Sequence, residues 1–571
     1  MDARTLVVSR AAAAALLVGL WSCSSDRGGP ASGIAADAVF TNGKILTVDA
    51  GSSVRQAIAV KDGRFVAVGT DRDVGDYIGA GTRVFDLGGR TVVPGLSDNH
   101  MHNEGGGPGI DLSQTRSLGE LLDKVRRAAQ AAAPGDIVVS NSDWHEAQLA
   151  EQRLPLATEL EAAASGIAVV LVRGGHDYIL NTTALARWNI TRSTPVPAGG
   201  GITRDASGNL TGELIDNAKA LVTLPPAAPT VVEDLLRTQQ VLNSYGLTSV
   251  RVPGSYRGEI FADYRLMKQL RDARRLTLRY NVLLRAPNND AAAFKARVDA
   301  EGIRPGEGDE WLRLWGVKTI VDGGFEGGHM TRPYQEPYGQ GGTYTGLTVV
   351  PQATYDALIV GLNRLGWRVS THAVGDAAMD QVLQAYEKAN ADRDLTRSGW
   401  GIEHAFITRP DQFPRMKALN VRLALQDHLF LAAPTLKNYW GPERASQVTP
   451  TKAYIDQGFD VSGGTDTPVV PFNPFWSMYH FLTRDTISAG VYGADQAVAS
   501  RDAVLRLFTI NYARLTDEQA IKGSIEPGKL ADFVILSADY LTIPDKDVEN
   551  LKALATYVGG SLVYQAPGFS F

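Results

Sequence analysis

Cysteine is almost missing: the 571-residue chain has one, Cys23. No intrachain disulfide can form, so stability must come from packing. Long apolar runs are missing too, since the longest near the start, residues 11–20, falls short of the ~20 residues a membrane-spanning helix needs. There is no basic block. Lys and Arg total 56 against 62 Asp and Glu, a net charge of -6, which leaves no electrostatic footprint for nucleic acid and excludes it as an expected partner. No internal repeat is visible. What is present is ordinary globular material, 44% hydrophobic and 21% charged, in a chain long enough for one large domain with a satellite or for two to three domains.

Arg4 and Arg10 precede the apolar run 11–20, the layout of a signal-peptide core. Leu20-Trp21-Ser22-Cys23 resembles the lipobox of bacterial lipoproteins. The expectation is a signal peptide over 1–22, a lipidated Cys23 and a Ser/Gly-rich tether over 23–36. A simply cleaved signal with an incidental cysteine is the other reading. Either implies export to the cell envelope or periplasm, with membrane contact only through the anchor.

Residues 39–48, 57–60, 65–68 and 84–87 are β-type runs separated by turn signals such as Asp62-Gly63 and Gly88-Gly89. A similar set closes the chain at 531–536 and 557–564, around Gly559-Gly560. Half-sheets at opposite termini bury their apolar faces only by meeting, so one composite β-sandwich is predicted from 37–93 and 516–571. Between them, strand-like runs alternate with helical periodicity. Eight strands are predicted, near 91–94, 248–251, 276–284, 312–320, 367–371, 401–403, 421–425 and 459–463, with helices including 231–245, 355–365, 377–389 and 503–513. The simplest architecture is α/β, a (β/α)8 TIM-type barrel over 94–102 and 231–515. The stretch 103–230, with strands at 137–140 and 167–172, is read as an inserted subdomain after barrel strand one, overhanging the mouth.

His100-Met101-His102 follows the first barrel strand, and residues two apart in an extended chain point the same way, so both imidazoles can reach one metal. Alone, this motif is weak. Lys318, His372, His404 and Asp466 fall at or just past the ends of strands four, five, six and eight, where TIM-type barrels place their chemistry. Singly, each is more often a hydrogen-bonded loop residue. Together, with four of only nine histidines so placed, they indicate a metal centre.

The motifs also carry a resemblance. Pro94-Gly95-Leu96-Ser97-Asp98-Asn99-His100-Met101-His102 resembles the opening of the amidohydrolase superfamily. Trp315 to Gly323, Thr371-His372-Ala373-Val374-Gly375-Asp376, Ile402-Glu403-His404-Ala405, Gly464-Thr465-Asp466-Thr467-Pro468 and the closing run 523–533 resemble its branch containing N-substituted formamide deformylases. The resemblance runs from about Ala38 to the C-terminus and includes the insertion's Arg173-Gly174-Gly175-His176. It implies two divalent cations, zinc foremost, with His100, His102 and Asp466 on the more buried one and His372 and His404 on the second. Lys318 would bridge them as a carbamate, because a protonated amine cannot ligate a cation. It further implies hydrolysis of an amide, N-formyl or cyclic amide bond of a small molecule by a metal-activated hydroxide, with Asp466 carrying the proton. Two features depart from the usual pattern: Leu96-Ser97 before Asp98, and Gly323-Gly324 where Gly-Ser is common.

His176, Arg332, His428 and Trp144 are candidate substrate contacts, with Phe325 and Tyr334 on loops that could shape the pocket. For His428 a loop hydrogen bond is the simpler reading. Other readings of the whole stay open: a mononuclear deaminase or ester or lactone hydrolase, or a catalytically silent regulatory or ligand-binding lipoprotein. A homo-oligomer is compatible with all of them.

Overall fold

A computed structural model describes residues 33–102, 107–226, 228–254, 259–469 and 473–571. The expected signal peptide, Cys23 and most of the tether lie outside the described residues. Among the described residues no helix is long and apolar enough to cross a membrane.

The barrel strands are β1 (Leu96–Asp98), β2 (Leu247–Val252), β3 (Arg279–Arg285), β4 (Leu312–Ile320), β5 (Val369–Ala373), β6 (Gly401–His404), β7 (Arg422–Gln426) and β8 (Val461–Gly464), joined in that order and parallel throughout. Helices cover their outer faces, so both faces are buried and the strands read as nearly unbroken apolar runs. Closure between β8 and β1 is carried by hydrogen bonds from Asp98, Asn99 and the segment after them instead of a regular ladder. Asn99 Nδ2 donates to the Ser462 carbonyl at 2.6 Å, and the Asn99 amide donates to Gly463 O at 3.3 Å.

Two expectations shift. Thr91–Pro94, read as the first barrel strand, pairs instead with Lys44–Leu46 and Phe533–Leu536 in a six-stranded sheet; Gly95 separates it from the true β1. Gly95 is required there, because a Cβ would lie 2.2 Å from Thr248 Oγ1 of β2. The helix predicted over 503–513 is broken into Arg501–Leu507 and Ile510–Leu515. The Phe508 carbonyl is diverted out of the helical ladder to accept from the Ser97 amide at 2.8 Å and its hydroxyl at 2.7 Å.

The six-stranded sheet combines both chain ends and packs on a four-stranded sheet made only from the N-terminal end. Phe40 of the smaller sheet meets Phe533 and Tyr557 of the larger one edge-on, at 5.0 and 5.2 Å, and those two rings stack at 4.5 Å. This is the composite sandwich. Buried Arg279 at the start of β3 grips Asp532 beside it through two bonds of 2.7 and 2.9 Å, tying barrel to sandwich.

The insertion forms a five-stranded sheet ordered Gly200–Arg204, Leu210–Asp216, Asp177–Leu180, Ala168–Arg173 and Ile137–Val139. Only the last two correspond to predicted strands. Its Trp144, Arg173 and His176 line a cavity shared with His372 and His404, so the insertion roofs the barrel mouth.

Candidate metal centre

The parallel register carries the histidines to one level. Ile320 of β4 pairs with His372 of β5, and Ala373 pairs with His404 of β6. At the other side of the mouth, the Asp466 amide donates to His100 O at 2.8 Å and the His102 amide to Thr467 O at 2.9 Å, which locks the His-x-His segment to the loop after β8. Asp98 reinforces this from below, accepting from the His100 amide at 2.9 Å and the Thr465 hydroxyl at 2.6 Å. His404 and Asp466 both hold left-handed backbone, φ 69° and 57°. For non-glycine residues such strain costs about 1–3 kcal/mol each and persists where the surroundings impose it.

Three imidazoles are fixed through Nδ1. That of His100 donates to Glu403 Oε2 at 2.7 Å, that of His102 to Gly254 O at 2.8 Å, and that of His404 to Gln426 Oε1 at 2.6 Å. With Nδ1 protonated, Nε2 carries the lone pair a cation needs. Burial pushes His100 down to about 3 and holds His372 and His404 well below the usual histidine range, so the rings are neutral, the form able to ligate a cation. Asp466 behaves oppositely: burial would raise it, but His100, His102 and His428 hold it well below the ordinary carboxylate range. Its Oδ1 lies 3.3 Å from His100 Nε2 and 3.4 Å from His102 Nε2.

The donors of His100, His102 and Asp466 lie within 4.8 Å of one another, and so do those of His404, His428 and Asp466. Lys318 Nζ is 3.2 Å from His100 Nε2. Burial pushes its amine down to about 8. His372 meets His404 edge-on, ring centres 4.6 Å apart, but aims Nε2 at the Gly323 carbonyl, 3.1 Å away. Neutral imidazoles, a buried anion and a desolvated lysine form a donor set that fits divalent cations.

The structure thus gathers all six predicted ligand residues. It gives His428 a larger part than a loop bond, with Nε2 2.9 Å from Asp466 Oδ2. His176 reaches the same cavity and pairs with Asp216, Nδ1 to Oδ1 at 2.6 Å. Trp144 lines the cavity while its indole donates to Val172 O at 2.7 Å, and Phe325 lines it too. Tyr334 is buried behind it, donating to Phe325 O and Gly328 O. Arg332 is not brought in: it is exposed, and it borders a different cavity with Asp376 and Arg409.

Several functional neighbours escaped the sequence reading. Glu403 binds His100 and forms an ion pair of 2.7 Å with Arg251, whose guanidinium lies 4.2 Å over Trp315. Burial would raise Glu403, yet Arg251 and His100 hold it well below its ordinary range. Gln426 and Asp216 were missed as well. Glu403 adjoins a predicted ligand, which was its one available signal.

Comparison with known proteins agrees with this geometry. The chain is 30% identical over 564 residues to the protein LONG AFTER FAR-RED 3 of Arabidopsis thaliana, covering 94% of this chain and 93% of that protein. It is 29% identical over 559 residues to an N-substituted formamide deformylase of Arthrobacter pascens, covering 93% and 99%. The solved structure of a metal-dependent hydrolase from Pyrococcus horikoshii OT3 shares the fold, with a TM-score of 0.66 at 23% identity over 89% of this chain and 99% of that one. Residues 83–564 match the amidohydrolase family, and the chain belongs to that family of metal-dependent hydrolases.

Proposed function

We propose that this protein is an exported hydrolase that cleaves a non-peptide carbon–nitrogen bond, an amide, N-formyl or cyclic amide, of a small molecule. The reading rests chiefly on Asp466, a buried anion in contact with His100, His102 and His428 at the mouth of the barrel. The name of the Arthrobacter relative, a formamide deformylase, supports the bond class.

His100, His102 and Asp466 would hold one divalent cation, and His404 with His372 the second, with His428 alongside. Lys318 would join them as a carbamate: its neutral amine adds to carbon dioxide with loss of a proton, and its depressed basicity favours that form. Zinc suits imidazole, carboxylate and carbamate donors, though manganese or iron fits them too. Bound there, such cations acidify a water and polarise an amide carbonyl. The chain's own groups manage the proton. Asp466 accepts it from the attacking water and returns it to the departing nitrogen, so the carboxylate ends as it began and the bond gives way to an acid and an amine, both on one molecule where the amide is cyclic. His428 on Oδ2 keeps the carboxylate aimed. The insertion overhead limits solvent.

The test is a screen of N-formyl, N-acyl and cyclic amides against the metal-loaded protein, with Asp466→Ala as control and metal content measured in parallel. Turnover lost in the variant, with about two equivalents of metal, is expected. One equivalent and an indifferent Lys318 would favour the mononuclear reading, and no turnover of any amide would overturn the proposal.

A further inference from the structure

On the insertion's side of the barrel mouth, His176, Asp216 and Glu326 bring one nitrogen and two carboxylate oxygens within 4.8 Å of one another. None of them is a candidate ligand of the centre described above, and they arrive from separate places. His176 precedes the strand Asp177–Leu180, Asp216 ends the strand Leu210–Asp216, and Glu326 lies in the loop after β4. His176 Nδ1 is 2.6 Å from Asp216 Oδ1, and Glu326 Oε2 accepts from the Arg173 guanidinium at 2.8 Å. The second oxygen of each carboxylate, Asp216 Oδ2 and Glu326 Oε1, is buried and has no hydrogen-bond partner. These side chains are only 6% and 4% exposed, so bulk solvent does not serve them. Buried polar atoms left so are costly and uncommon.

The loop after β4 is cut away around the same atoms. A Cβ at Gly323 would fall 2.0 Å from Asp216 Oδ2 and one at Gly327 2.7 Å from it, while one at Gly324 would fall 2.7 Å from Glu326 Oε1 and 2.8 Å from the His176 ring. None of the three glycines has the positive φ that would itself call for glycine. Space is what they provide. Asp216 in turn is held at φ 46° and ψ -116°, strained backbone of the kind that clusters at ligand clamps.

Charge points the same way. Glu146, Asp177, Glu213, Asp216 and Glu326 act on one another through the buried interior. Facing them are Arg173, paired with Glu146, Asp177 and Glu326 at 2.7–2.8 Å, and Lys219, whose amine bonds the Gly175 carbonyl. Arg285, at the end of β3 in register with Lys318, acts on Lys219 from the barrel side. Among the described residues these carboxylates outnumber the cations around them, and buried charge of that kind is balanced by coordinating a metal.

We propose that His176, Asp216 and Glu326 form a further divalent-cation site that pins the insertion to the barrel. His176 Nδ1 and one oxygen of each carboxylate are the donors, and the ion takes the place of the proton shared by His176 and Asp216. An imidazole with two carboxylates suits zinc or manganese. The His176 ring lies 5.4 Å from that of His372, so the site adjoins the barrel-mouth centre but shares none of its candidate ligands. It stands whether or not that centre cleaves amides.

The test counts zinc by mass spectrometry in the full chain, saturated with zinc and freed of excess. Wild type should hold one equivalent more than Glu326→Gln and one more than Asp216→Asn, and the number left in those variants is the count for the barrel mouth. A second background, His102→Ala with His404→Ala and Asp466→Ala, strips donors from the barrel mouth; it should keep one equivalent that adding Glu326→Gln removes. Zinc should also raise the melting temperature of that background, and Glu326→Gln should abolish the rise, a readout taken within each variant and so independent of its starting stability. Equal zinc in wild type, Glu326→Gln and Asp216→Asn overturns the proposal. So does a stripped background that holds no zinc, or one whose zinc and melting are indifferent to Glu326→Gln.

Discussion

Glu403→Gln tests how the chain holds the imidazoles of its candidate metal centre. Glu403 and Arg251 are fully buried, 2.7 Å apart, and the same carboxylate accepts from His100 Nδ1 at 2.7 Å. The amide keeps the shape and an acceptor for His100 but removes the charge facing Arg251. Leaving one member of a buried ion pair uncompensated costs about 3–5 kcal/mol. Weakening the carboxylate behind a ligating histidine lowers metal affinity roughly 10–100-fold. Urea unfolding of the metal-free protein reads the first effect, and competition with a chromophoric chelator the second. Arg251→Met and the double variant complete a cycle. Since Arg251→Met also removes the charge that Glu403→Gln strands, the double variant should be less destabilised than the sum of the singles by about 0.5–3 kcal/mol. The reasoning is refuted if Glu403→Gln unfolds at the wild-type midpoint and holds metal equally tightly, or if the two substitutions add without coupling.

Lys318→Ala should abolish turnover and lose metal, and a short carboxylic acid should restore part of the activity by supplying the missing oxygen ligand; retained activity, or failure of every acid tried, counts against the bridge. Gly324→Ala places a Cβ 2.8 Å from the His176 ring and 2.7 Å from Glu326 Oε1, so a stability loss of about 1–3 kcal/mol from overpacking is expected with a fall in kcat/KM. A variant that matches wild type in melting and kinetics would show that His176 needs no such room. Arg279→Met breaks the buried pair with Asp532 and should cost about 3–5 kcal/mol in unfolding measurements without changing metal content, because it lies at the opposite end of β3 from Arg285; metal loss would instead mean that the sandwich contact governs the barrel mouth.

The barrel was legible because its strands are buried on both faces, so each is a compact apolar run between helical segments. Where that signal misled, a stronger local one competed. Thr91-Val92-Val93 is β-branched and fully buried, whereas the true β1 is three residues long and includes Ser97 and Asp98. Propensity therefore marked the sandwich strand and passed over the barrel strand next to it. The break at Phe508 had no local sign at all, since its cause is a hydrogen bond to Ser97, 411 residues away. Of the three missed insertion strands, Gly200–Arg204 and Leu210–Asp216 carry glycine and charge within them, and Asp177–Leu180 is only four residues long.

The site divides along the same line. The candidate ligands could be picked out because strand ends place them, and that depends on position along the chain. Their supports depend on pairing across it: Glu403 with Arg251, His176 with Asp216, His404 with Gln426. Gly323-Gly324 shows what separates the two kinds of information. As sequence it was a bare departure from the usual Gly-Ser. In the fold, a Cβ at 323 would fall 2.0 Å from Asp216 Oδ2 and one at 324 would strike the His176 ring. A side chain at 324 enters only by shifting the His176 ring or the Glu326 carboxylate. The departure is thus the space that the pair occupies.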